Sequence, residues 1–181
     1  MMRAVLPLLA VLALAGCSGS NAATTEPVPQ KTPTGMEELR MPTLLHFGTI
    51  KKAPTAALLE GKLTFAEVVN KQRLQAILEI RNPSEYVVGI RFNSGMTADL
   101  WLVDDKEQRV WAWSDEMMFT QAIRDTSIKP GQTLKVMFKV PAKTLERIGP
   151  EGYSFQARFE GKPLESKLAA MAMLEVPVAR R

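Results

Sequence analysis

Cysteine and histidine are nearly missing from this chain, whose 181 residues hold one of each, Cys17 and His46. A lone cysteine closes no internal disulfide, so a folded domain must be held by its apolar core. One histidine leaves any serine or cysteine triad dependent on His46, which stands at the entrance of the domain and reads as a linker or edge residue. The sequence has no G-x-S-x-G, S-x-x-K, G-x-x-x-x-G-K-[ST] or H-E-x-x-H. No enzyme, no cofactor and no metal site is expected. Charge of one sign is also scarce: the net charge of +4 comes from residues spread along the chain, without basic and aromatic residues interleaved. That excludes the basic patch of a nucleic-acid binder.

The N-terminus carries the clearest signal. Arg3 precedes an apolar run from Ala4 to Ala15, the length of a secretory h-region and too short to cross a bilayer. Leu14-Ala15-Gly16-Cys17 closes it. Small residues before a cysteine resemble the bacterial lipoprotein box, which implies cleavage before Cys17 and acylation of its thiol and freed amine. Two or three acyl chains anchor durably where one binds marginally, since each buried methylene contributes ~0.8 kcal/mol. Residues 1–16 are therefore expected to be signal peptide, and the membrane to be reached through lipid on Cys17. In a host with two membranes, Ser18 after the cysteine resembles the signal for the outer membrane, facing the periplasm. An ordinary secreted protein with a free cysteine is the plainer alternative.

Residues 18–42 are rich in Ser, Thr, Ala and Pro without apolar periodicity, and read as a flexible tether of ~25–30 Å. Residues 43–181 are expected to form one domain. There the dominant period is two: Leu74, Ala76, Leu78 and Ile80, a turn at Asn82-Pro83-Ser84-Glu85, then Tyr86, Val88, Ile90 and Phe92. Ala98, Leu100 and Leu102 lead through Asp104-Asp105-Lys106-Glu107 to Val110, Trp111 and Trp113. Lys129-Pro130-Gly131-Gln132 is a further turn, before Leu134, Val136, Phe138 and Val140. A helical turn over Lys143–Ile148 precedes a strand at Tyr153, Phe155, Ala157 and Phe159. A final strand is predicted over Leu168–Val176, and an opening one near Leu63–Val69. Many short strands at even spacing predict an all-β domain, an immunoglobulin-like antiparallel β-sandwich, with a closed barrel as the alternative.

Few side chains suggest chemistry. Asp99, Asp104, Asp105, Asp115 and Glu116 flank turns; their spacing matches no EF-hand, so they read as solvated turn residues. Trp111 and Trp113 would share one sheet face if the segment is extended, either as core or as an exposed aromatic platform. Met117-Met118-Phe119 follows the polar Ser114-Asp115-Glu116. Carried on a loop it would be an apolar tip and a candidate partner contact; part of a strand or a short helix is the alternative.

Taken in order, several stretches resemble the BsuPI-type intracellular proteinase inhibitor domain over residues 72–140. They are Phe92-Asn93-Ser94-Gly95, Asp99-Leu100, Val103-Asp104, Val110-Trp111-Ala112-Trp113-Ser114, Met118-Phe119-Thr120-Gln121-Ala122 and Ile128-Lys129-Pro130-Gly131-Gln132. The W-x-W-S followed by F-T-Q-A is the specific part. Met96, Thr97 and Ala112 depart from the family's usual residues. The resemblance implies an immunoglobulin-like sandwich that acts non-catalytically on a serine protease; the domain is expected to be a monomer, and the resemblance together with the apolar triplet beside a turn puts Met117, Met118 and Phe119 nearest a subtilisin-type partner. An envelope structural or assembly lipoprotein that binds other envelope proteins without inhibiting proteolysis is the second expectation.

Overall fold

The computed structural model describes residues 45–68 and 73–180, so the expected signal peptide, Cys17 and the tether lie outside the described residues. Two main sheets enclose the core, and a smaller one extends them. The first runs β1 (Leu45–Phe47), β13 (Leu174–Arg180), β10 (Tyr153–Phe159), β6 (Ala98–Val103) and β7 (Arg109–Ala112), with the short β2 (Lys51–Lys52) also on β13. The second is β12 (Ala169–Met171), β3 (Ala57–Val68), β4 (Arg73–Arg81) and β9 (Thr133–Val140). The third is β11 (Lys162–Pro163), β5 (Val88–Phe92) and β8 (Arg124–Ile128). The one α-helix among the described residues, α1 (Ala142–Leu145), overlaps the predicted helical turn, beginning one residue before it and ending at Leu145. The fold is a sandwich-like, all-β arrangement, antiparallel except where β12 lies parallel to β3.

Alternation puts the apolar residues inside. Leu74, Ala76, Leu78 and Ile80 on β4, Leu100 and Leu102 on β6, and Phe155 and Ala157 on β10 are all buried in one cluster. Phe65 of the second sheet meets Phe155 of the first at 5.3 Å between ring centroids, and Phe47 stacks on Phe65 at 4.3 Å. Those contacts tie the layers together without a covalent link, at about 25 cal/mol for each Å² of apolar surface buried. His46 is exposed on the edge strand β1.

Four expectations need correction. The strand over Leu168–Val176 is two strands: the chain leaves β3 after Met171 and joins β10 at Leu174, so it changes sheets at Ala172 and Met173. The strand drawn from Tyr86 begins at Val88, because the Tyr86 carbonyl accepts from the Asn82 side-chain amide at 2.6 Å. The extended segment through Trp113 stops at Ala112, and Trp113–Glu116 form a 3-10 turn, so the two tryptophans do not share one strand face. Asp99, expected as a solvated turn residue, is a buried strand residue only 3% exposed.

Candidate functional site

Strand β5 ends at Phe92 opposite Arg124, where β8 begins, so the loops over 93–97 and 117–123 leave the same end of this pair. The other end, where Val88 faces Ile128, carries the turns at 82–87 and 129–132. Ser114, which bonds to Asp99 just after the 93–97 loop, and the F-T-Q-A stretch lie at the first end, with Trp111 further along opposite Leu102. Lys129-Pro130-Gly131-Gln132 lies at the second.

Asp99 organises the first end. Its side chain alternates away from the core-facing Ala98 and Leu100, yet it is closed off by four donors. Oδ1 accepts from the Leu100 amide at 2.9 Å and the Ser114 amide at 3.0 Å, while Oδ2 accepts from Trp101 Nε1 and the Ser114 hydroxyl, each at 2.6 Å. A carboxylate with both oxygens bonded twice is held far better than by one neutral hydrogen bond. Ser114 is thereby captured in both backbone and side chain. This capture is the physical reason that the strand gives way to a tight turn after Ala112.

Trp101 closes the cluster from the sheet side. The Arg158 guanidinium stands 3.7 Å from its ring centroid, and Arg109 stands 5.3 Å from it. Burial and the Asp99 carboxylate push the Glu160 carboxyl above its ordinary range, with Arg158 and Lys162 opposing them. Arg109 also reaches Asp115 at 3.6 Å, and Glu116 accepts from Trp111 Nε1 at 2.8 Å. Three of the five acidic residues read as solvated turns therefore fasten this turn. Asp104 fits the turn assignment, accepting from the amides of Lys106 and Gln108 through Oδ1.

Beyond the turn the chain crosses an exposed tip and is fastened again. Trp111 is buried; Trp113 packs edge-on against Phe138, a core residue, at 5.2 Å, and tilts against Phe119 at 5.7 Å. Phe119 is accordingly half-buried. The Thr120 carbonyl accepts from the Gly95 amide at 2.8 Å, and a Cβ at Gly95 would stand 2.8 Å from Thr120 Oγ1, so any larger residue there must turn that hydroxyl aside. Ser94 accepts from the Met96 amide through its hydroxyl, turning the 93–97 loop toward this contact. Between the two fastenings Met117 is 45% exposed and Met118 100% exposed. Met117, Met118 and Phe119 are thus loop residues, neither strand nor helix, and Gln121 beside them is exposed.

At the second end Asn82 is the hub. It is fully buried, donates to the carbonyls of Tyr86 and Ile128, and accepts from the Ser84 amide and hydroxyl. Its backbone exchanges bonds with Gly131 and Gln132. Gly131 has φ +71°, a left-handed conformation that suits glycine, and Pro130 precedes it as the turn requires. Nearby lies an apolar surface hollow lined in part by Leu58, Tyr86, Val87 and Pro163, with Tyr86 78% and Val87 57% exposed.

Sequence reasoning found the motif residues but not what joins them. Asp99, Trp101 and the Gly95–Thr120 contact carry the geometry. A legible hint was the acid two residues before Trp101 in a strand otherwise made of apolar residues.

The first end so described is a loop fastened on both sides to a β scaffold. The profile of the BsuPI family, described as intracellular proteinase inhibitor, matches residues 62–164, more than half of the chain. The chain belongs to that family. No curated protein matches it.

Proposed function

We propose that this protein is an envelope-tethered member of the family that binds a serine protease and contributes no chemistry of its own. Lipid on Cys17 holds it to the membrane, residues 18–42 set it clear of the lipid heads, and the loop over 113–123 meets the protease. The observation that carries this reading is the double fastening of that loop by the residues of the family's own motif. Asp99 holds Ser114 on one side, and Gly95 and Trp113 hold Thr120 and Phe119 on the other. A loop ordered before binding loses less conformational entropy in the complex, which favours affinity without added area.

The test is titration of serine proteases with the full chain in detergent, with residual activity as the readout. Saturable inhibition at tens of micromolar or below supports the reading; no inhibition, or consumption of the chain as a plain substrate, refutes it. Intact mass of the same material tests the anchor. A mature chain that begins at Cys17 and carries acyl chains is expected, and an unmodified chain beginning elsewhere overturns the tether.

A second reading, docking onto other envelope proteins without effect on proteolysis, draws support from the exposed apolar Tyr86 and Val87 at the opposite end. Under it, substitutions at Met118 leave the protein's associations unchanged, while Tyr86→Ser with Val87→Ser abolishes them.

A further inference from the structure

We infer that the tip of the loop enters the protease as a substrate segment would, with Met118 filling the pocket that receives the residue before the scissile bond, and that this pocket is apolar and uncharged. The inference rests on the inhibitor reading above and assigns it a register and a specificity. Endopeptidase clefts take their peptide in extended form and pair with its backbone, so an entering segment must be extended and stand clear of its own scaffold. Met117 is extended, at φ −125° and ψ 148°, and Met118, at 100%, is the most exposed of the large apolar side chains among the described residues. An apolar side chain left wholly in water has all its apolar surface still to bury on contact, as an interface anchor requires.

The fastenings place Met118 and no other residue in that position. On the N-terminal side the Met117 amide donates to the Ser114 carbonyl at 3.2 Å, and Ser114 is tied to Asp99. On the C-terminal side Phe119 leans on Trp113 and Thr120 is tied to Gly95. Phe119 cannot enter a pocket without leaving Trp113, and Met117 is partly covered. The Met118–Phe119 bond therefore lies between two anchors that do not depend on it. A substrate loop without such anchors would separate after cleavage, whereas these hold both flanks on the scaffold.

Charge sets the pocket's chemistry. The residues before the tip are Asp115 and Glu116, and the nearest basic residue after it, Arg124, is engaged with the Phe92 ring at 4.5 Å and with Thr97 Oγ1 at 3.0 Å. Residues 115–123 hold no lysine or arginine, so the tip offers no side-chain cation of its own to the acidic pocket of a trypsin-type enzyme. Methionine is long, unbranched and uncharged, which suits the broad apolar pockets of subtilisin- and chymotrypsin-type enzymes.

The experiment measures inhibition constants of the full chain in detergent against subtilisin, chymotrypsin and trypsin. Wild type is expected to inhibit at least one of the first two ten-fold or more better than trypsin. Met118→Gly should weaken that inhibition at least 30-fold. Met118→Lys should do the same and improve inhibition of trypsin, while Met118→Leu stays within three-fold of wild type. Peroxide converts the exposed thioether to a polar sulfoxide; it should weaken inhibition by wild type and spare Met118→Leu. The fully exposed site lets each variant keep the wild-type melting temperature, and Met137→Leu, at an exposed methionine on β9, controls for methionine content. If wild type inhibits but neither Met118→Gly nor Met118→Lys changes the constants, the register is wrong and the inhibitor reading survives. If wild type inhibits none of the three, both fall.

Discussion

Replacing Asp99 with alanine removes an acceptor on which four donors converge, and the consequence can be worked out donor by donor. The amides of Leu100 and Ser114 lose Oδ1; Trp101 Nε1 and the Ser114 hydroxyl lose Oδ2. A buried donor left unpaired costs about 1–3 kcal/mol. Ser114 and Trp101 are only part-buried, so water can reach their side chains after the loop relaxes; Leu100 is fully buried. Counting two donors as unrecovered gives a loss of about 2–6 kcal/mol, against the 5–15 kcal/mol that holds a typical domain. For a domain of this size that lowers the melting temperature by roughly 6–24 °C. Asp99→Asn should cost less, because its oxygen can still serve the two amides while its NH₂ faces the Trp101 donor. Thermal denaturation gives the total, and hydrogen exchange gives the place. Amides from Ser114 to Thr120 should lose protection in Asp99→Ala beyond any loss in β4. Losses under 1 kcal/mol for Asp99→Ala, or exchange rising equally in β4 and in the loop, would refute the argument that Asp99 holds this loop.

Other perturbations follow from the same contacts. Trp111→Ala empties a buried indole site and frees Glu116, so it should cost about 3–5 kcal/mol in denaturant unfolding. Asn82→Ala strips both turns at the opposite end of their shared acceptor and donor; about 2–4 kcal/mol should be lost, with protection falling at Ser84 and Ile128 rather than in the 113–123 loop. Glu160 titrates above its ordinary value in the folded state, so the native form binds the extra proton and stability falls as pH rises from the ordinary carboxylate range through the raised value. Glu160→Gln should therefore be more stable than wild type at pH 7 and no more stable at pH 4, as equilibrium unfolding at the two values will show. Asp125 runs the other way: its hydrogen bonds to Arg91 hold it low, so the support it lends is present above its ordinary range and is lost as acid titrates it.

Alternation made the core legible, because a two-residue period leaves only one face for Leu74, Ala76, Leu78 and Ile80 or for Phe155 and Ala157, and each of these is buried. It failed where strands owe their place to partners rather than to burial. Strand β8 reads Arg-Asp-Thr-Ser-Ile, and only Ile128 of it is buried. Its pairing is set by β5 and by the Arg91–Asp125 pair, directly opposite in register at 2.7 Å. Such an edge carries no apolar period, so nothing in its composition separates it from a loop. The sheet change at Ala172 and Met173 was hidden for the opposite reason: apolar residues run through it without a break.

The site was half legible, and the missing half has a common physical form. The tryptophans, Ser114, Phe119 and the Ser94-Gly95 pair stand out as residue types, but what each does depends on a partner distant in sequence. Ser114 depends on Asp99 fifteen residues earlier, and Thr120 depends on the Gly95 amide. A carboxylate inside a strand looks like a solvated group until its donors are known, since burial of a charge is tolerable only when hydrogen bonds replace its water. Here those donors include a tryptophan ring nitrogen and a serine on the loop that is to be held. The strand thus fixes the carboxylate, the carboxylate fixes the turn, and the turn leaves two methionines facing solvent where a partner can reach them.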